Sequence, residues 1–200
     1  MLAGDRAFDR VVTLTRRPLP SELSQGNVEP HVVDFDNLGA HASLFRVDQI
    51  ICALGTTLRN VGGYREAFRR VDYGYPLAAA QLGRERGATH FLLVSSVGAN
   101  PRSQIFYSRV KGELEAAVLA LRYRAVTIVR PSLLLGPRAE YRLGEQIAKR
   151  LAFLFPARYK PVGAHAVAAL LVRAANEDAP GHHIIESEEI RELADDAAVA

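Results

Sequence analysis

Tyr107 and Lys111 stand four residues apart in the stretch YSRVK, a spacing that sets both side chains on one face of a helix. An ammonium beside a phenol favours the phenolate. That tuning makes a tyrosine usable as a general acid or base near neutral pH, against an ordinary value of about 10. Just upstream, VSSVGAN (94–100) ends an apolar run in two serines, and the Ser96 hydroxyl there is placed to hydrogen-bond a substrate carbonyl or hydroxyl. By itself a Tyr/Lys pair is also what a half-buried aromatic and a solvated lysine look like. The pair gains weight from the serines before it and from the rarity of lysine: Lys111, Lys149 and Lys160 are the only three in a chain whose other cations are arginine.

A constellation of this kind needs a scaffold that carries strand ends to one place. Runs at 11–15, 31–35, 47–54, 90–95 and 125–129 are apolar throughout rather than alternating, and a last strand is expected at 183–186. Such apolar runs are the pattern of strands covered on both faces of a parallel sheet. Helical periodicity occupies 72–86, stopping at Gly87, then 103–122 and 164–175. Strand alternating with helix predicts an α/β fold with a Rossmann-like doubly wound parallel sheet, whose ligands sit at the carboxyl ends of the strands. Residues 1–200 read as a single NAD(P)-binding domain, within which 136–162 break the alternation and form a small substrate-side excursion.

The strand ends carry the unusual residues. Arg16 and Arg17 follow the first strand, where a guanidinium pairs with a 2′-phosphate and an acidic residue would instead accept from a ribose hydroxyl. NADP is therefore favoured over NAD, the alternative being a solvated pair at a turn. Asp34 ends the next strand, either near an adenine or as a simple turn aspartate. Leu54, Gly55 and Thr56 end the third, where the glycine lets backbone approach a cofactor closely. Arg142 reaches a phosphate, a substrate anion or only solvent.

Composition narrows the function classes. The net charge is +3, and the arginines are scattered from Arg6 to Arg191 without a basic stripe, so a nucleic-acid partner is not expected. No apolar stretch reaches membrane-spanning length, and the start has no leader pattern, so no membrane partner and a cytoplasmic location are expected. The single cysteine, Cys52, excludes an internal disulfide and reads as a core residue, and the six histidines show no metal-ligand spacing.

Taken together, LTRRPL (14–19), ICALGTT (51–57), VDYGYPLAAA (71–80), FLLVSSVGAN (91–100), FYSRVKGELE (106–115) and VRPSLLLGPR (129–138) resemble the atypical short-chain dehydrogenase/reductase family, in its NAD(P)H-binding Tat-interacting-protein-30-like branch. The stretches run in the family's order along nearly the whole chain. The resemblance implies that Tyr107 is the catalytic tyrosine and that Lys111 holds the nicotinamide ribose while lowering the tyrosine's pKa. It implies that Ser96 orients the substrate, with Ser95 still open, and that Pro131, Leu133 and Leu134 lie beside the nicotinamide. It also implies a first strand, a glycine-rich phosphate loop and most of a helix before Met1. Residues 1–10 supply none of these; 5–10 resemble only the end of that helix. Loss of that central strand would expose two long strand edges. Such a chain either starts late or is a native short form acting through protein contacts.

The expected function is NADP-linked hydride transfer to or from a small carbonyl or alcohol. The alternative is a non-catalytic NADPH-binding sensor that regulates a protein partner. A sugar-nucleotide epimerase or dehydratase ranks below both, because 136–162 offers little room for a substrate domain.

Overall fold

The computed structural model describes residues 2–135 and 160–199. Eight strands occur among them: β1 (Val11–Thr15), β2 (Val28–Val32), β3 (Gln49–Cys52), β4 (His90–Val94), β5 (Ala125–Arg130), β6 (Leu134–Leu135), β7 (Val162–Gly163) and β8 (Gly181–Glu186). All pairings are parallel. The main sheet runs β3-β4-β5-β8, β1 pairs with β2, and β6 with β7.

Alternation along β4 and β5 builds two cores. Phe91, Leu93, Val126 and Ile128 face Ala80, Leu114 and Val118 on one side, whereas Leu92 and Val129 face Val167, Leu170, Leu171 and Ile190 on the other. The first side is covered by α2 (Tyr75–Arg86) and α3 (Phe106–Ala120), the second by α4 (Ala164–Glu177) and α5 (Ser187–Val199). Each fully buried Leu, Ile, Val or Phe contributes about 1.5–3 kcal/mol, so this pair of cores fixes the sheet and with it the strand ends. A short α1 (Arg65–Arg69) runs into α2 through one π-helical turn, Arg70–Gly74. The helical run therefore starts before the expected residue 72.

Several sequence expectations need correction. The second strand is Val28–Val32 rather than 31–35. Its ladder stops after Val33 N–H donates to Thr15 at 2.9 Å, because Asp34 caps a 3₁₀ segment, Phe35–Phe45, by accepting from the Asp36 amide at 2.9 Å. Pro30 is tolerated inside this strand because β2 lies at a sheet edge. Cover on both faces holds for β4 and β5 but not for β8, where Gly181–Ile184 are exposed at the other edge. Residues 5–10 form turns, closed by Phe8 N–H to Asp5 at 3.2 Å, and not the end of an α-helix.

β1 pairs only with β2 and β3 only with β4, so each has one edge without a strand partner among the described residues. Side chains join the two sheets. Leu14 and Ile50 pack on the same cluster of Val33, Phe35, Leu38, Phe45 and Ala79, and the Arg10 guanidinium donates to the Arg46 carbonyl at 3.1 Å. Of the expected excursion at 136–162, all but residues 160–162 lies outside the described residues, as does Arg142.

Candidate active site

Helix α3 begins at Phe106 with Ile105 as its N-cap, and the Ser103 hydroxyl accepts the Ile105 amide at 3.1 Å to fix the entry. Gly112 lets the helix close against the preceding loop, since a Cβ there would overlap the backbone of Asn100 and Pro101. One turn into the helix Tyr107 packs its ring on Phe68, with 5.5 Å between centroids. One turn further, Lys111 is only 3% exposed, a rare state for a lysine and one that demands a counter-charge.

Asp72 supplies it. The carboxylate is fully buried in the π-helical turn; its Oδ1 lies 2.7 Å from Lys111 Nζ, and its Oδ2 accepts the Thr56 amide at 2.7 Å. The turn after β3 is thereby brought against α3. A Cβ on Gly55 would sit 3.3 Å from Asp72 Oδ1 and 3.6 Å from Lys111 Nζ, tight enough to explain a glycine there. Sequence reasoning named Gly55, Thr56 and Lys111 but missed Asp72, which entered only as the first residue of a helical run.

A second buried pair stands beside the first. Glu115, 4% exposed, accepts from Ser95 Oγ at 2.5 Å and from the Arg130 guanidinium at 3.0 and 2.6 Å, and Arg130 also donates to Glu186 at 2.7 Å. The hydrogen bonds it donates to Glu115, and the one to Glu186, hold Arg130 well above the ordinary guanidinium range. The network ties the ends of β4, β5 and β8 to α3. It also separates the two serines: the Ser95 hydroxyl is buried and engaged by Glu115, whereas Ser96 is half-buried. Backbone bonds from Val97 to Pro131 at 2.9 Å and from Ser95 to Val129 at 2.8 Å hold the serine loop beside the end of β5. Pro131 is buried there, and Leu133 and Leu134 are 49% and 40% exposed at the same end of the sheet.

The remaining expected residues stand apart. Arg16 and Arg17 follow β1, are exposed, and make no ion pair among the described residues. Asp34 is exposed and caps the 3₁₀ segment by accepting the Asp36 amide. Burial pushes the Cys52 thiol up to about 11, so it is no nucleophile near neutral pH. No described helix is long and apolar enough to cross a membrane.

No protein-family model matches the sequence. Among curated proteins, the chain is 39% identical over 151 residues to Protein HTATIP2 of Rattus norvegicus, covering 74% of this chain and 62% of that one. The chain thus spans less than two thirds of that relative. It is 33% identical over 190 residues to Protein FMP52, mitochondrial, of Debaryomyces hansenii, covering 88% of this chain and 80% of the relative. The FMP52 of Eremothecium gossypii is 31% identical over 200 residues, with 94% and 86% covered. Among solved structures, MoeE5 in complex with UDP-glucuronic acid and NAD superposes with a TM-score of 0.69 at 16% identity, covering 88% of this chain and 67% of that one. The dTDP-4-dehydrorhamnose reductase of Bacillus anthracis in complex with NADP gives 0.64 at 14% identity, with 95% and 81% covered. Both establish the fold.

These relatives overturn the expected cytoplasmic location, since the FMP52 proteins are named mitochondrial. The expectation rested on the lack of a membrane-length apolar stretch and of a leader pattern, neither of which decides between compartments. With a parallel α/β sheet, a tyrosine and lysine one turn apart beside the strand ends, and relatives of this identity and coverage, the chain belongs to the atypical short-chain dehydrogenase/reductase family, in its NAD(P)-binding branch with HTATIP2 and FMP52.

Proposed function

We propose that the chain is an NADP-linked oxidoreductase acting on a small carbonyl or alcohol. The observation that supports this best is the place of Lys111 Nζ against the Gly55–Thr56 turn after β3, because it brings the helix that carries Tyr107, one turn away, to the end of that strand. A dinucleotide would lie along that turn, where glycine lets backbone approach closely. When bound, the nicotinamide supplies or accepts the hydride.

The chain's own residues do the rest. The Tyr107 hydroxyl gives its proton to the carbonyl oxygen during reduction and takes one from the alcohol in reverse. Ser96 donates to that oxygen and holds it in line. Lys111 would present ammonium donors to the ribose hydroxyls, Leu54, Gly55 and Thr56 would let backbone approach the cofactor closely, and Pro131, Leu133 and Leu134 would stand beside the nicotinamide. Arg16 and Arg17 would pair with a 2′-phosphate, and Asp34, besides capping the 3₁₀ segment, would stand toward the adenine.

Tyr107→Phe removes the transferable proton with little change in shape, and turnover of an NADPH-dependent carbonyl panel is expected to fall by about 10²–10⁴-fold with NADPH affinity unchanged. Undiminished turnover would sink the assignment. One observation favours a second reading, a non-catalytic NADPH-binding regulator working through a protein partner. Asp72 offsets the Lys111 charge that would otherwise help Tyr107 ionise. NADPH binding without turnover by the unaltered chain selects that reading.

A further inference from the structure

Lys111 and Asp72 are, at 3% and 0% exposure, a fully enclosed ion pair at 2.7 Å. Such pairs seldom add stability over apolar side chains of the same size, because the desolvation of two charges offsets their attraction. Packing alone therefore does not call for them. The backbone around Asp72 is also unusual: the helical face that buries Phe68, Pro76, Ala79 and Ala80 carries Asp72 between them, on the single π-helical turn that interrupts α1 and α2. Turns of this type gather at functional sites.

We infer that Asp72 is a positioning residue for Lys111: its carboxylate locks the ammonium on α3 to the Thr56 amide in the turn after β3, so both are in place before a nucleotide arrives. Each carboxylate oxygen has its own partner, Lys111 Nζ on Oδ1 and Thr56 N–H on Oδ2, the latter at 2.7 Å. The Lys111 contact is an ion pair outside hydrogen-bond geometry, so the three donors of the ammonium stay open to a ligand. The other titratable groups near it are Cys52 on β3, whose thiol burial keeps neutral, and Tyr107 and Glu115 one turn to either side on its own helix, the latter paired with Arg130. Asp72 is then the counter-charge, and the lysine acts on a ligand through placed hydrogen bonds more than through net charge.

This inference rests on the reading that Lys111 and the Gly55–Thr56 turn meet a nucleotide, and its test separates the two. Acetylation with acetic anhydride, followed by mass spectrometry of lysine peptides, reads the clamp without any ligand. Lys160, which is exposed, serves as the internal reference. In the unaltered chain Lys111 should react at least about tenfold more slowly than Lys160, and in Asp72→Asn that ratio should rise by about tenfold with one cooperative melting transition retained. An unchanged ratio overturns the clamp. NADPH titration of Asp72→Asn, Lys111→Gln and the double variant reads its purpose. Asp72→Asn should weaken binding by about tenfold when Lys111 is present and have no effect in the Lys111→Gln background. An equal loss in both backgrounds marks Asp72 as merely structural and overturns the proposal. If Lys111→Gln leaves affinity intact, the nucleotide role of Lys111 fails and the positioning role with it, while acetylation still reports the ion pair. Should Asp72→Asn not fold, hydrogen exchange on the unaltered chain decides: the Thr56 amide should be protected by at least about a hundredfold, and exchange as in an open turn overturns the clamp.

Discussion

The two sets of strand ends in this molecule are built differently. At the carboxyl end of β3, β4 and β5, the charged groups Lys111, Asp72 and Glu115 are 3%, 0% and 4% exposed, and every one is paired. At the carboxyl end of β1 and β2, Arg16, Arg17 and Asp34 are all exposed, and none is in an ion pair among the described residues. A charge taken out of water must be paired during folding, whereas an exposed one keeps its hydration until a ligand displaces it. The first end is thus organised by the chain itself, whereas the second leaves its charges to solvent and, on the proposed function, to a nucleotide. Substitutions at the first should damage stability and chemistry together, and substitutions at the second only selectivity.

The largest effect is expected from Glu115→Ala. It strips the buried partner from Ser95 Oγ and leaves Arg130 with Glu186 alone. Breaking such a pair costs about 3–5 kcal/mol, read as a lowered urea midpoint, and the lower end is expected because Glu186 remains. A midpoint within about 0.5 kcal/mol of the unaltered chain, as for an ordinary surface change, would erase the contrast between the two ends. Gly112→Ala comes next. Its new methyl would collide with the Asn100 and Pro101 backbone, so α3 must shift, at a cost of about 1–3 kcal/mol together with weaker nucleotide binding, as Tyr107 and Lys111 move with the helix.

How much of this was legible before folding follows the same division. Tyr107 and Lys111 could be read because their spacing is local to one helix, and Gly55 because a glycine after an apolar strand is a local signal. Asp72 and Glu115 could not, because their partners come from other elements: Thr56 and Lys111 for the one, Ser95 and Arg130 for the other. Gly112 did leave a trace, since a glycine inside a helix costs about 1 kcal/mol against alanine and implies a close approach. What separates Ser95 from Ser96 is also a contact between elements, since only the Ser95 hydroxyl, just past the end of β4, is engaged by Glu115 on α3. The second strand was misplaced because Val33 and Phe35 are apolar for the sake of a cluster under α2 and not of a ladder.

The open end gives a smaller effect of another kind. Arg16→Ala combined with Arg17→Ala should weaken NADPH about tenfold, roughly 1.4 kcal/mol, leave NADH unchanged and leave the urea midpoint within about 0.5 kcal/mol. A parallel loss for both nucleotides would show that the pair contributes general electrostatics rather than recognition of a 2′-phosphate.

The smallest effect tests whether burial of polar groups, rather than their place at the carboxyl end, makes the first region sensitive. Strand β4 also buries a polar group at its amino end. The His90 ring lies between Asp178 Oδ1 at 3.0 Å and Thr127 Oγ1 at 3.0 Å, and desolvation lowers its pKa below the ordinary 6.5 despite the opposing pull of Asp178. The folded state then holds His90 neutral where the unfolded chain begins to take up a proton. As pH falls through about 6.5 the unfolded state binds more protons, so stability drops, and the loss stops once the pH lies below the lowered native value. Urea midpoints at pH 7.5 and 5.5 should show that decline in the unaltered chain and a flatter dependence in His90→Gln, with NADPH affinity unchanged in both. If His90→Gln weakens NADPH as Gly112→Ala does, the amino end is coupled to the site and the division between the ends of the sheet is not one of function.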